Sequence, residues 1–392
     1  MRRPLWRVAG VTSALVVAVA AATYVAWRVL DAGSETETEI ATEHVLGTRR
    51  LPDGHYSYVL SDGEIRVYNI GRSYALVKRI SIPDGFTGVR GVAADAHSDM
   101  LYAAYWGADP AHSSHLLAYD LRHDVVLWQR TYEPSIDSIA LSSDGRKLYV
   151  PCGETGGTCD YWRVVAAADG KELTRIRMHE GAHNTIVSLD GDHAYLASLK
   201  YDRLAVVDTG RDRIVRWIGP FGDSVRPFTV NRSETLVFAA VDFLSGFEVA
   251  DVRTGRRLYR IEVQGFPLEP GDFPPLPRTQ THGIALTPDE TEVWIVDDLY
   301  RHLHVFDVRG LPGSVPRQIA DIQLGDVPKW INFTRDGRFA HVSTGEIVDR
   351  GSRRVVALVE PSRQYLQIDW QHGQPVHAYS RYGLGYGDRP RP

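Results

Sequence analysis

The chain has 392 residues, 43% of them hydrophobic and 24% charged, with a formal net charge of −5. That length suits two or three ordinary domains or one long repeat array. The negative balance, with arginines spread rather than clustered, excludes a field for nucleic acid, and two cysteines are too few for a disulfide-built scaffold.

Residues 1–30 stand apart. Arg2, Arg3 and Arg7 precede an uncharged run from Val8 to Trp27, long enough to cross a bilayer as one helix. Tyr24 and Trp27 sit at its far end, where aromatic rings favour the membrane interface. The basic N-terminus stays in the cytoplasm, and everything after Trp27 is sent across. A cleaved secretory signal is the rival reading, because Ala18-Val19-Ala20 makes an Ala-x-Ala site. The first predicts a single-pass membrane protein facing the periplasm or cell exterior, the second a secreted one. Residues 31–45, DAGSETETEIATEHV, are acidic and aperiodic and read as a flexible tether.

Residues 46–380 alternate short apolar strands with tight polar turns. HYSYVLSD, EIRVYNI and YALVKRISI are three strands in succession. Six similar units follow, with turns AADAHSDMLYAAY, ALSSDGRKLYVPC, VSLDGDHAYLAS, TVNRSETLVFAA, ALTPDETEVWIV and NFTRDGRFAHVS. Their first strands start near Val89, Ile136, Ala182, Val225, Thr281 and Pro328, at intervals of 43 to 56 residues. Four strands per unit at that period predict a β-propeller. After Glu360, YLQIDWQHGQPVHAY reads as one more inner strand and its turn. The expectation is an all-β, seven-bladed propeller of four-stranded antiparallel blades, closed by one mixed blade with a C-terminal inner strand and N-terminal outer strands. Such closure removes open sheet edges. Residues 381–392 are Gly- and Pro-rich and read as a loose tail. GLGYG precedes no helix and is no dinucleotide loop.

SSDGRKLYV, SLDGDHAYLAS, LAVVDTGRDRIV, TPDETEVWIV and LHVFDV resemble YVTN-type propeller repeats of bacteria and archaea, over roughly residues 50–380. NRSETLVFA, which lacks the Asp-Gly turn, and HSDM in the first unit depart from the pattern. The resemblance implies a seven-bladed extracytoplasmic propeller. It implies no single activity, since similar folds include lactonase-like enzymes, a metal-dependent lyase, oxidoreductase subunits and binding proteins.

Topology selects the functional face. The turns from first to second strand are all short, so the long insertions fall on the other face: 107–115, the Cys152–Cys159 loop and 264–280. Loops on a rigid scaffold are the usual place for binding. Export makes a Cys152–Cys159 disulfide the expectation, with free thiols the alternative. Aligned repeats put Arg90, Asp137, His183, Arg226, His282 and Lys329 at one position, the start of the inner strand on that face. In the closing blade the equivalent lies near Leu366 or Gln367. Seven-fold geometry gathers these starts around the channel mouth as ligand-binding candidates, with an excess of cationic groups suited to a small anion. Trp106, Glu154, Lys200, Tyr201, Asp242, Asp297, Asp298 and Glu346, with Asp223, form a second layer. Asp223 is placed to pair with Arg226 or cap a turn.

His183 with Glu154, or His282 with Asp297, makes an acid–base pair or a metal site. His183, His282, Asp297 and Glu154 are therefore the catalytic candidates. A divalent metal at His183 and His282 is one option, although no HExxH or other fixed ligand spacing occurs. His302 and His304 read as inter-blade packing. No GxSxG, P-loop, CxxC or sialidase-type Asp-box occurs, and sequons at Asn231 and Asn332 fall near turns. The main expectation is an exported, membrane-tethered propeller that binds a small anionic ligand or a partner protein at the mouth. The alternatives are a hydrolase, lactonase or lyase using the same mouth, and a subunit of a periplasmic redox complex.

Overall fold

The computed structural model describes residues 50–82, 87–107, 114–153, 159–266, 280–362 and 364–379. Among them no helix is long and apolar enough to cross a membrane. The N-terminal helix expected at 1–30, the tether at 31–45 and the tail at 381–392 lie outside the described residues.

The repeated turns have a common physical cause. Ser142 Oγ donates to Asp144 at 2.6 Å, that carboxylate accepts the Arg146 N–H at 3.0 Å, and the Ser142 hydroxyl accepts the Lys147 N–H at 2.9 Å. Ser188 with Asp190, Thr287 with Asp289 and Thr334 with Asp336 repeat this arrangement. The turn thus satisfies its own backbone and reverses the chain. Where TVNRSE lacks the Asp, Asn231 Oδ1 takes over and accepts the N–H groups of Thr235 and Leu236. Asp120, Asp208, Asp251, Asp307 and Asp349, which end the third strands, accept backbone N–H groups of the next turn.

These turns connect six four-stranded antiparallel sheets and one five-stranded sheet. Blade one begins with Thr87–Asp95, blade two with Ala140–Leu141, blade three with Ala182–Val187, blade four with Val225–Val230, blade five with Thr281–Leu286 and blade six with Ile331–Phe333. Each inner strand packs against that of the next blade. At Gly91 the approach leaves no room for a side chain: an added Cβ would lie 2.5 Å from the Ile139 nitrogen and 2.9 Å from the Asp137 carbonyl oxygen. Apolar side chains fill the wedges between blades, with Trp162, Trp294 and Trp370 fully buried. On the short-turn face, polar clamps cross the same wedges. Lys147 and Tyr149 of blade two both reach Asp212 of blade three at 2.8 Å. Arg350 and Arg353 of blade six reach Glu292 of blade five at 3.2 and 2.5 Å.

The closing blade joins the two ends of the ring. Gln364–Gln371 pairs antiparallel with Gly54–Ser61, which continues into Glu64–Asn69 and Ala75–Ser81. This blade has five strands where four were expected. His372 and Gly373 both have positive φ, 52° and 70°, the geometry of a two-residue hairpin. Gln374–Tyr379 therefore folds back on the inner strand. Gly54–Ser61 already occupies the outward edge, so the returning strand takes the inward one. His341 of blade six closes the seam. Its Nδ1 lies 3.2 Å from Ser57 Oγ and its Nε2 2.8 Å from Tyr74 Oη, both in the closing blade.

Candidate functional site at the channel mouth

The ladder is irregular where the inner strands enter. Register shifts fall between Ala182 and Thr185, between Val225 and Phe228, between Thr281 and Ile284, and on either side of Val89. His183, Arg226, His282 and Arg90 all sit inside these bulges. A bulge frees a residue from strict alternation and re-aims its side chain. No sequence signal announces it. In the closing blade Leu366 pairs with Tyr58, as Ile186 pairs with Tyr195 and Ala285 with Trp294. The position equivalent to His183 and His282 is therefore residue 363, outside the described residues, and not Leu366 or Gln367.

Arg90, Asp137 and His183 form one buried chain. Arg90 Nη2 lies 3.1 Å from Asp137 Oδ1, and His183 Nδ1 lies 2.5 Å from Asp137 Oδ2. Burial alone would raise the carboxyl pKa. The charge of Arg90, with hydrogen bonds from Arg90 and His183, outweighs it and holds Asp137 well below the usual carboxylate range. Arg90 also lies over the Trp106 ring, 4.9 Å from its centre. Arg226 makes a bidentate pair with Asp242 at 2.5 and 2.9 Å. Asp223 instead accepts the Ser224 N–H, so Arg226 pairs with Asp242 and not with Asp223. Lys329 pairs with Asp298.

Each of the ring's three permanent cations is thus met by a carboxylate. The mouth lacks the bare cationic field expected from the aligned positions alone.

The two histidines behave differently. His282 Nδ1 lies 3.0 Å from the Lys329 carbonyl oxygen, and its ring stands edge-on to Trp330 at 4.7 Å. Burial, reinforced by the charges of Lys329 and Arg226, pushes its pKa well below the ordinary value. A carbonyl only accepts, so Nδ1 carries the proton and Nε2 carries a lone pair. His183 is 2% exposed, and its Nε2 is buried without a hydrogen-bond partner among the described residues.

Of the two catalytic pairs expected above, His282 with Asp297 is not hydrogen-bonded, and His183 with Glu154 falls partly outside the described residues. Asp297 accepts from Gln280 and lies 3.1 Å from His304 Nε2, whose Nδ1 faces Asp321 at 2.7 Å. His304 is therefore a buried link between carboxylates, and Asp297 is engaged by it rather than by His282. Glu154 lies outside the described residues. Lys200 pairs with Glu180, Tyr201 stacks on His179, and Glu346 accepts from Gly325 and Thr344. Among the described residues no group of three or more His, Cys, Asp or Glu could hold a metal. Cys152 and Cys159 are joined by a disulfide, with Cα atoms 5.9 Å apart.

A cleft of 680 Å³ opens on this face between blades six, one and the closing blade. Arg90, Trp106, Lys329, Arg66 and Glu360 line it, and the last two are ion-paired. The ring residues Arg90 and Lys329 thus border this cleft.

No protein-family model matches the chain, and no curated protein matches it. Solved structures do resemble it. The β-propeller domain of Cps50 (Swd1) from Myceliophteria thermophila superposes with a TM-score of 0.55 at 15% identity, covering 74% of this chain and 95% of that one. A Bacteroides uniformis protein described as a candidate 6-phosphogluconolactonase superposes with a TM-score of 0.59 at 15% identity, covering 83% and 98%. Hydrazine synthase from Kuenenia stuttgartiensis matches at 16% identity over 71% of this chain and 97% of that one, with a TM-score of 0.43, too loose to bear on function. These likenesses show the propeller fold and leave its activity to the site.

Proposed function

We propose that the chain is an exported propeller that takes up a small polar ligand at its channel mouth, and that imidazole nitrogens make the decisive contacts. The observation that carries this reading is His183 Nε2, a buried polar atom without a partner among the described residues, on a strand start freed by a bulge. Buried polar groups in folded proteins are almost always satisfied, so this one is best understood as waiting for a ligand or an ordered water. The uncharged run at 8–27, the YVTN-like turns and the disulfide together support export. A tether through residues 1–45 is the reading that fits an intact N-terminus.

One observation favours catalysis at the same place. Asp137 fixes the His183 Nδ1 proton, which turns Nε2 into a proton acceptor oriented by a carboxylate. A hydrolase, lactonase or lyase would use that arrangement.

Calorimetric titration of the full chain with neutral lactones, sugar phosphates and dicarboxylates tests the reading. Binding is expected to be lost in His282→Ala and kept in Lys200→Ala. Unchanged affinity in His282→Ala, for every ligand bound, would refute it. Turnover of a bound lactone that disappears in Asp137→Asn would establish the catalytic form.

A further inference from the structure

Neither His183 nor His282 lines the 680 Å³ cleft between blade six, blade one and the closing blade, so this space stands apart from the imidazoles. Its volume falls within the roughly 300–1,000 Å³ of small-molecule sites. Strand ends and short connections build its walls. Asp62, in the turn after Gly54–Ser61, accepts the Gly88 N–H at 2.9 Å and ties the closing blade to blade one. Gly88 has a φ of 54°, and any side chain there would meet the half-buried Trp106 indole. Asp326, on the connection into blade six, accepts the Val327 N–H at 2.7 Å.

Charge decides what fits. Arg66, Arg90 and Lys329 line the cleft, and each already faces a carboxylate: Arg66 faces Glu64 and Glu360, Arg90 faces Asp137, and Lys329 faces Asp298. Asp62 and Asp326 are exposed and have no cationic partner among the described residues. An anion would meet those two carboxylates and compete with the ones that hold the cations. Taking the partner from a guanidinium as buried as Arg90, 8% exposed, strands its charge. A cation would meet Arg66, Arg90 and Lys329 on the same walls. A neutral hydroxyl escapes both penalties. It donates to a carboxylate and accepts from a guanidinium or ammonium N–H, leaving the ion pairs intact. Hydrogen bonds to ionised groups are about twice as strong as neutral ones, so walls carrying both signs favour a ligand with many hydroxyls. Trp106 and Val327 add the apolar surface on which the C–H face of such a ligand rests.

We propose that this cleft is a saccharide site, in which Asp62 and Asp326 accept hydrogen bonds from sugar hydroxyls, Arg66 and Lys329 donate to them, and Trp106 backs the ring. The site goes beyond the function proposed for the mouth and does not require it. Arg90 links the two, since its Asp137 partner also holds His183.

Calorimetric titration of the full chain with glucose, galactose, mannose, N-acetylglucosamine, maltose and cellobiose is the test. At least one of these sugars is expected to bind saturably, one per chain, with the same affinity at low and high sodium chloride. Asp62→Asn and Asp326→Asn should each weaken that sugar roughly tenfold, and Trp106→Ala should weaken it too. Both aspartates are exposed, so their variants keep the fold and decide the matter if Trp106→Ala does not fold. Glu262→Gln, at an exposed carboxylate on the outer strand of blade four, should change nothing. Glucosamine and glucuronate should bind no more tightly than glucose. No saturable sugar, unchanged affinity in both aspartate variants, or tighter binding of glucosamine or glucuronate that depends on Asp326 would overturn the assignment. A sugar whose affinity falls in His282→Ala and holds in both aspartate variants sits at the imidazoles; the mouth reading then stands and the cleft site falls. A sugar that is lost in the aspartate variants and kept in His282→Ala establishes the cleft even if the mouth reading fails.

Discussion

The seam at His341 predicts how the ring responds to acid. This imidazole is 5% exposed, held between Ser57 and Tyr74, and burial lowers its pKa from 6.5 to about 3. Its folded pKa is depressed, so its contribution is fully present above pH 6.5 and is lost as pH falls toward 3. The unfolded chain takes up a proton that the folded ring refuses. From those two values, falling from pH 7.5 to pH 5 removes about 2 kcal/mol of stability. His282, also pushed down by burial, adds loss in the same direction. Most carboxylate titration falls below this window and cancels in a comparison with a variant. His341→Phe is the natural perturbation, because Phe238 of blade four occupies the same register: His341 pairs with Asn332 as Phe238 pairs with Thr229. The variant gives up two hydrogen bonds at every pH. The informative quantity is therefore the slope. Urea unfolding at pH 7.5 and 5.0 should show native protein losing about 2 kcal/mol more than His341→Phe over the interval. Equal losses in the two proteins would refute the claim that a neutral imidazole locks the seam.

Asp242→Ala strands the Arg226 guanidinium, which is 5% exposed at its side chain. A cost of about 3–5 kcal/mol is expected, read as a lowered denaturation midpoint. Gly91→Ala forces a Cβ against the backbone of blade two and should cost about 1–3 kcal/mol, checked by thermal unfolding. Replacing Cys152 and Cys159 by serine opens a loop closed over a sequence separation of 7 and should cost about 2–3 kcal/mol on the chain-entropy account. The native protein should lose a similar amount on reduction, and the serine variant should not respond to reductant.

Blade number, blade boundaries and the mixed closure were legible because each depends on local chemistry. A Ser/Thr-x-Asp turn satisfies its own backbone wherever it occurs, so its repetition marks four of the inner hairpins. The fifth strand was harder to see. QHGQ reads as a turn either way, and only the prior occupation of the outward edge by Gly54–Ser61 sends Gln374–Tyr379 inward. Residue 363 was missed for a related reason. Without a shared turn motif, register across a chain closure depends on which aromatic residue, Tyr56 or Tyr58, takes the common place, and pairing with Leu366 selects Tyr58.

The ring position itself could be read from repeat alignment, but its charge could not. Alignment lists what begins each inner strand and is silent on what lies opposite. Physical chemistry supplies a constraint there. A guanidinium as buried as Arg226 persists only with a counter-ion in reach, and Asp242, just past the end of the neighbouring second strand, is where that counter-ion stands. The same demand ties Arg90 to Asp137 and Lys329 to Asp298. Histidine escapes it, because an imidazole can shed its proton and stay buried as a neutral group. Among the six aligned residues, the cations are therefore committed to carboxylates, while His183 and His282 need an acceptor only at Nδ1. On that difference rests the proposal that the two imidazoles, and not the more numerous charges, meet the ligand.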